Sequence, residues 1–266
     1  MFRPIVRGLP LKRAYHKLLG GNLVGRAKYL IATSDQEKSE MIEDGVPAWQ
    51  VVVRRNGIEF PERLPERGDF RRKWNIPADV KLVLFLGRLV SKKSPDMLMA
   101  AFAGWREKSS NRGGAILVLA GPAEGDGFAD RLKKSASELG LERSVVFTGP
   151  LYDDAKWEAY RDADVFVLAS QNENFGNTAG EAAACGTPVI VTDRCGIAPY
   201  VGQAGIVIRH DRVELERALE ELLGEQQLHQ YRSAACAEMA RALSWERPLA
   251  QNEDLYKQCL MEFQAA

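Results

Sequence analysis

Histidine is scarce in this chain. His16, His210 and His229 are the only three in 266 residues, and they are scattered. A histidine-based catalytic triad or a histidine-rich metal cluster is therefore not expected. The four cysteines, 185, 195, 236 and 259, show no Cys-x-x-Cys spacing and have no histidine beside them. They read as reduced thiols of a cytosolic protein, without a zinc site. No apolar run approaches about 18 residues, so no membrane-spanning helix is expected. Met1-Phe-Arg-Pro-Ile-Val-Arg7 lacks the apolar core of a signal peptide, which again favours a cytoplasmic location. The Gly-x-Gly-x-x-Gly fingerprint and a P-loop lysine are both missing; Gly121-Pro-Ala-Glu-Gly-Asp-Gly127 has the wrong spacing and reads as a turn with a helix cap. A dinucleotide-dependent oxidoreductase is excluded on that ground.

The composition, 45% hydrophobic and 27% charged, is that of a globular protein. Net charge is zero but unevenly spread. Residues 1–34 hold seven basic residues and no acidic one, leaving 29 basic against 36 acidic residues over the rest. Within the basic part, Leu11, Ala14, Tyr15, Leu18 and Leu19 form the apolar face of a helix, with Lys12, Arg13, His16 and Lys17 opposite. Two readings compete for 11–19: a peripheral contact with the inner face of a membrane, or a helix packed into a domain. The second is favoured, because so short a stretch anchors weakly.

From Tyr29 the pattern becomes regular. Tyr29–Thr33 reads as a strand, Ser34 caps a helix from Asp35 to Glu43 with Glu37 completing a capping box, and Val51–Val53 is the next strand. Residues 61–79, with three prolines and many charges, suit a linker with a short helix. Beyond Lys81, apolar strands near 82–86, 115–120, 145–148, 164–168, 189–191 and 206–208 alternate with helices, and three helices from about 211 to 262 follow. Continuous apolar strands between helices imply an α/β fold, a Rossmann-like parallel sheet with helices on both faces.

The stretch that carries chemistry lies between two of these strands. Val165–Leu168 runs into a polar loop, Asn177 is a good N-cap for Thr178-Ala-Gly-Glu-Ala-Ala-Ala, and Gly186 with Pro188 stops the helix. A helix N-terminus at the carboxyl end of a strand favours a phosphate. Glu173 and Glu181 bracket it, with Phe175-Gly176 between them. Upstream, Gly87-Arg-Leu-Val-Ser-Lys-Lys-Ser94 ends another strand, where Arg88 and Lys93 could meet a diphosphate. Asp162-Ala-Asp164 matches the Asp-x-Asp of metal-dependent sugar transferases, but its place between helix and strand suits local capping better.

Glu173-Asn-Phe-Gly-Asn-Thr-Ala-Gly-Glu181, followed by Ala-x-Ala-x-Gly186-Thr-Pro-Val, resembles the Glu-x7-Glu signature of the retaining glycosyltransferases of the GT-B fold, family 4. The Gly87–Ser94 stretch resembles that family's Gly-Arg-Leu-x-x-x-Lys-Gly, with Ser94 in place of the last glycine; Asn56-Gly-Ile-Glu59 resembles its domain-crossing motif, and Ser244-Trp245 the start of its final helix. The resemblance implies a donor site for a nucleotide-diphosphate sugar. Its residues would be Gly87, Arg88, Lys93, Asn174, Phe175, Gly176, Asn177, Thr178 and Glu181, with Glu173 as the catalytic residue on the donor sugar and Glu181 on the ribose. It further implies no metal or other cofactor, and no nucleic-acid partner. The acceptor would be a glycan or a lipid-linked molecule. Phe147-Thr-Gly-Pro-Leu151 stands where the family's backbone meets the nucleobase.

The resemblance also implies an organisation: 1–55 as a remnant of an N-terminal domain, 56–245 as the donor-binding domain, and 246–266 as a C-terminal helix. Most of the family's N-terminal domain has no counterpart, so the chain alone is expected to bind donor with little transfer, and to associate with itself or with a partner chain. A non-catalytic nucleotide-sugar-binding subunit of a split transferase is the alternative. A glycosidase using Glu173 and Glu181 is disfavoured by the nearby Arg88 and Lys93.

Overall fold

Apolar, β-branched hexapeptides such as Lys-Leu-Val-Leu-Phe-Leu and Ala-Ile-Leu-Val-Leu-Ala bury both faces only in the middle of a parallel sheet, and that is where they lie. A computed structural model describes residues 21–108, 114–125 and 127–264. The basic stretch 11–19 and Asp126 lie outside the described residues. By internal contacts the chain forms two units: one contains the segments up to Gly57 and from Trp245 on, the other is Ile58–Ser244.

In the first unit, α1 (Gly21–Arg26) precedes strand β1 (Leu30–Ala32), helix α2 (Asp35–Glu43) and strand β2 (Val51–Val53). The two strands pair in parallel, Leu30 opposite Val51, around a small core of Ala32, Val46 and Val51. Ser34 caps α2 as expected, accepting from the Glu37 N–H at 3.1 Å, but the Glu37 carboxylate reaches back one residue further, to the Thr33 N–H at 2.7 Å. The C-terminal helix α10 (Glu246–Gln264) belongs to this unit. Lys28 pairs with Glu262, and Gln258 donates to the Tyr29 hydroxyl at 2.9 Å. A Cβ at Gly57 would strike the Trp245 indole, which explains a glycine there.

The second unit begins with helix α3 (Asp69–Lys73) and continues β3 (Lys81–Leu86), α4 (Pro95–Lys108), β4 (Ala115–Ala120), α5 (Phe128–Glu138), β5 (Val145–Gly149), α6 (Asp153–Asp162), β6 (Val165–Leu168), α7 (Asn177–Ala184), β7 (Val189–Thr192), β8 (Gly205–Ile208), α8 (Arg212–Gly224) and α9 (Gln226–Ala242). All six strands are parallel, in the order β5-β4-β3-β6-β7-β8. Alternate strand residues feed two cores. Leu82, Leu84, Phe166 and Val191 pack with Tyr160 of α6, Ala179 and Ala182 of α7, and Met239 of α9. Val83, Phe85, Leu119 and Val167 pack on the other face with Phe102 of α4, Leu132 of α5 and Leu219 of α8. Helices on both faces and a parallel sheet are the architecture the strand composition predicts.

Asp162 and Asp164 serve the framework. The Asp162 carboxylate accepts the N–H groups of Gly68 (2.5 Å) and Arg71 (3.0 Å) and so caps α3, while Asp164 accepts from the Leu82 N–H (2.7 Å) and the Arg71 guanidinium (2.9 Å). The turn expected over 121–127 leads into α5, which starts at Phe128 behind Gly127 in a left-handed conformation. Among the described residues no helix is long and apolar enough to cross a membrane.

Candidate functional site

The strand order reverses between β3 and β6: the chain runs outward to β5 on one side, then returns past β3 to β6 on the other. In open α/β sheets the crevice at the carboxyl ends of two such strands is where ligands bind. Gly87–Ser94 leaves β3 there, and Gln171–Gly176 leaves β6.

Backbone contacts hold both loops at this edge. Gly87 donates to the Ala120 carbonyl (2.9 Å), and Gly121 lies so close to the Gly87 carbonyl that a Cβ there would overlap it. Ser91–Lys93 forms a short 3-10 turn. Its Lys92 carbonyl accepts from the Gln171 N–H at 2.9 Å, which joins the two loops. On its other side the β6 loop runs along 194–197: Glu173 N–H donates to Arg194 (2.9 Å), Gly196 to Glu173 (3.0 Å) and Ile197 to Phe175 (2.7 Å).

The side chains follow. Lys93 and Glu173 form an ion pair with only 17% and 20% of their side chains exposed. Burial pulls the Lys93 ammonium down to about 8; Lys92 and Arg88 act in the same direction and Cys195 against it. The Glu173 carboxylate in contact with it favours the charged form. Arg88 is more exposed and pairs with Glu124. Glu181, about one turn beyond the start of α7, faces α6: it accepts from the Tyr160 hydroxyl (2.9 Å) and pairs with Lys156 (3.1 Å), whose ammonium lies 4.4 Å from the Trp157 ring centre. Burial, then the Glu181 carboxylate, pushes the Tyr160 phenol well above its usual range.

Of the residues singled out from the sequence, then, Lys93 and Glu173 are in direct contact. Arg88 and Glu181 have partners of their own. Asn174, Phe175 and Gly176 form the loop end, and Asn177 and Thr178 the first turn of α7. Asn177 is not the cap that its residue type suggests. Gly176 is the N-cap, at φ 109°, and its side-chain-free backbone fits because a Cβ would sit 2.9 Å from Leu168 and 3.0 Å from Ile197. The demand for glycine thus comes from the protein's own packing. Two polar residues at this edge, Ser170 and His210, escaped the sequence reading as site residues. Ser170, fully buried two residues past the end of β6, has an Oγ with no partner among the described residues. Ser94 meets His210 from the loop after β8 at 2.9 Å. A depression of about 520 Å3 lined by Arg106, Glu107 and Leu139–Leu141 lies at the opposite edge of the sheet, at the helix C-termini. Among the described residues no group of three His, Cys, Asp or Glu side chains could hold a metal ion.

Topology and edge together define a doubly wound α/β domain with cations, carboxylates and a helix N-terminus gathered at its switch point. The family described as glycosyl transferases group 1 matches residues 66–239. A D-inositol 3-phosphate glycosyltransferase of Streptomyces bingchenggensis is 32% identical over 247 residues, which cover 90% of this chain and 54% of that protein. One of the same name from Corynebacterium aurimucosum is 33% identical, over 88% of this chain and 58% of its own length. Among solved structures, sucrose-phosphate synthase from Thermosynechococcus elongatus superposes with a TM-score of 0.75 at 28% identity, over 93% of this chain and 61% of that one. Anabaena HepE in complex with UDP and glucose superposes with a TM-score of 0.79 at 22% identity, covering 91% and 66%. This chain belongs to the group 1 glycosyl transferases and has the fold of GT-B glycosyltransferases. It spans a little over half the length of these curated relatives.

Proposed function

We propose that the sheet edge between β3 and β6 binds a nucleoside-diphosphate sugar, and that the chain is the donor-binding part of a retaining glycosyltransferase acting on a glycan or lipid-linked acceptor. The observation that carries this reading is the half-buried Lys93–Glu173 pair at the switch point, with Arg88 on the same loop and the N-terminus of α7 beside it. A lysine kept out of water beside a carboxylate is an arrangement that a ligand's phosphates can complete. The description of HepE in complex with UDP and glucose supports the ligand class.

In the transfer, the bond from the anomeric carbon to the diphosphate oxygen breaks, and the oxygen leaves with the electron pair. Arg88, Lys93 and the backbone N–H groups of the first turn of α7, at Asn177 and Thr178, offset that charge where it develops. Glu173 then orients the donor sugar through its hydroxyls, and Glu181, fixed by Tyr160 and Lys156, accepts from the ribose. The acceptor oxygen forms the new bond on the face the diphosphate leaves, which retains configuration, and passes its proton to the departing phosphate. The groups named here all act on the donor; none of them is assigned to the acceptor. A second reading, a non-catalytic donor-binding subunit, uses the same donor residues; sugar transfer by the chain would exclude it.

A thermal-shift panel of UDP, GDP, ADP and their sugars tests the donor site on wild type and Glu181→Ala. A ligand at about 100 times its Kd stabilises the folded state by about 2.7 kcal/mol. We expect one nucleotide family to shift the wild type and to lose most of its effect in the variant. No shift with any of them would remove the proposal.

A further inference from the structure

Three described residues other than glycine have positive φ: Asn75, Ser94 and Asp153. Asn and Asp tolerate that conformation through local hydrogen bonds, whereas serine does so less readily. Ser94, at φ 51° and ψ 44°, stands where the resembled motif has glycine. It is almost fully buried, so its hydroxyl needs partners. It finds the Ser91 carbonyl at 3.3 Å and the His210 Nε2 at 2.9 Å; the proton between Ser94 and His210 sits on either atom according to the imidazole tautomer.

The two ends of this contact differ in what they are attached to. His210 stands on fixed ground. It follows β8, whose Ile208 carbonyl accepts from Asp193 at 2.7 Å, and it precedes Asp211, which caps α8 through the Glu214 N–H at 2.9 Å. Helices α4 and α8 pack side by side, which brings the two helix starts together. Ser94 instead ends the short turn that carries Lys92, bonded to the β6 loop, and Lys93, paired with Glu173.

We propose that His210 is a positioning residue for the donor site: through Ser94 it holds the 91–94 turn in a conformation serine does not favour and so keeps Lys93 against Glu173. The His210 imidazole therefore stands in for the conformational freedom of a glycine. Its effect on ligand binding rests on the donor-site reading above; its effect on Lys93 does not.

The test uses wild type, His210→Ala, His210→Gln, Ser94→Gly and the double variant Ser94→Gly/His210→Ala. The first readout is the titration of Lys93 followed by NMR on lysines labelled at Cε, with the Lys93 signal assigned by its loss in Lys93→Arg. The groups that face this ammonium, Glu173, Lys92, Arg88 and Cys195, are unchanged throughout. In His210→Ala we expect the titration to move from about 8 toward the ordinary lysine value of 10.5 as the turn opens to water, with His210→Gln moving it less. In the Ser94→Gly background, removing His210 should move it little, because glycine holds the turn unaided. The second readout is calorimetric titration with UDP, GDP and ADP, where His210→Ala should weaken the best ligand about tenfold and the double variant should recover it. An unmoved Lys93 in His210→Ala, or an equal displacement in both backgrounds, would overturn the proposal. Failure of wild type to bind any nucleotide would sink the donor-site reading alone, since the lysine titration still decides the role of His210.

Discussion

Lys93 is the residue on which the donor reading makes its sharpest demand. Burial has brought its ammonium from 10.5 to about 8, so in the free protein it loses its proton as pH rises through about 8. A diphosphate favours the charged form and raises that value again. Binding must then take up a proton above pH 8, and affinity should fall by up to about tenfold per pH unit there. Calorimetry just above that pH, in two buffers of different ionisation enthalpy, should show a heat difference that vanishes in Lys93→Gln. Equal heats in wild type would contradict it. Gly176 makes a second demand. At φ 109°, with Leu168 and Ile197 about 3 Å from any Cβ, Gly176→Ala should lower stability by about 1–3 kcal/mol, read as a reduced urea midpoint at unchanged slope. Both residues were legible in the sequence because the motif carries them. The contact of Ser94 with His210 was not, since it joins positions 116 apart in the chain and no local pattern marks it.

The elements were legible almost throughout, and for a physical reason. Every strand of the large sheet is a short apolar run ended by Gly, Asp or a polar loop, and most helices between strands have a start or stop residue the backbone uses, although α6 lies between Tyr152 and Ala163 with no side-chain cap. Helix α1 (Gly21–Arg26) carried no such signal, and the start of α7 differs from its signal. Asn177 has the side chain of a cap, but the loop arrives through Gly176 in a left-handed turn that only glycine fits, and the cap moves back by one. Asp-x-Asp illustrates the converse, a motif whose chemistry is structural. Asp162 accepts two backbone N–H groups at the start of α3, and Asp162→Ala would leave both without a partner. At about 1–3 kcal/mol for a buried donor left unmade, we expect a loss of about 2–3 kcal/mol by urea denaturation. Asp162→Asn, which keeps one acceptor oxygen, should recover part of it. A neutral Asp162→Ala would mean that α3 does not depend on this cap.

At the scale of the whole molecule, the order of the chain conceals which parts belong together. Helix α10 follows the donor-side unit in sequence yet belongs to the first unit, where Glu262 pairs with Lys28 and Gln258 donates to the Tyr29 hydroxyl. Its own apolar period could not reveal that, because a helix face does not name what it packs against. The division has a consequence for ligand binding. Every residue assigned to the donor site lies within 58–244, so nucleotide should order that unit and leave the other unchanged. Hydrogen exchange with and without a saturating nucleoside diphosphate tests this. Protection should rise over 87–94 and 171–181, where backbone N–H groups face the crevice or hold its loops, and in the sheet behind them to the extent that binding raises global stability. Segments 24–57 and 245–264 should exchange as before, because binding energy reaches a unit only through contacts that differ between its free and bound states. Protection that spread equally through both would mean that the donor site is built from both units, and the assignment of donor binding to 58–244 would fail.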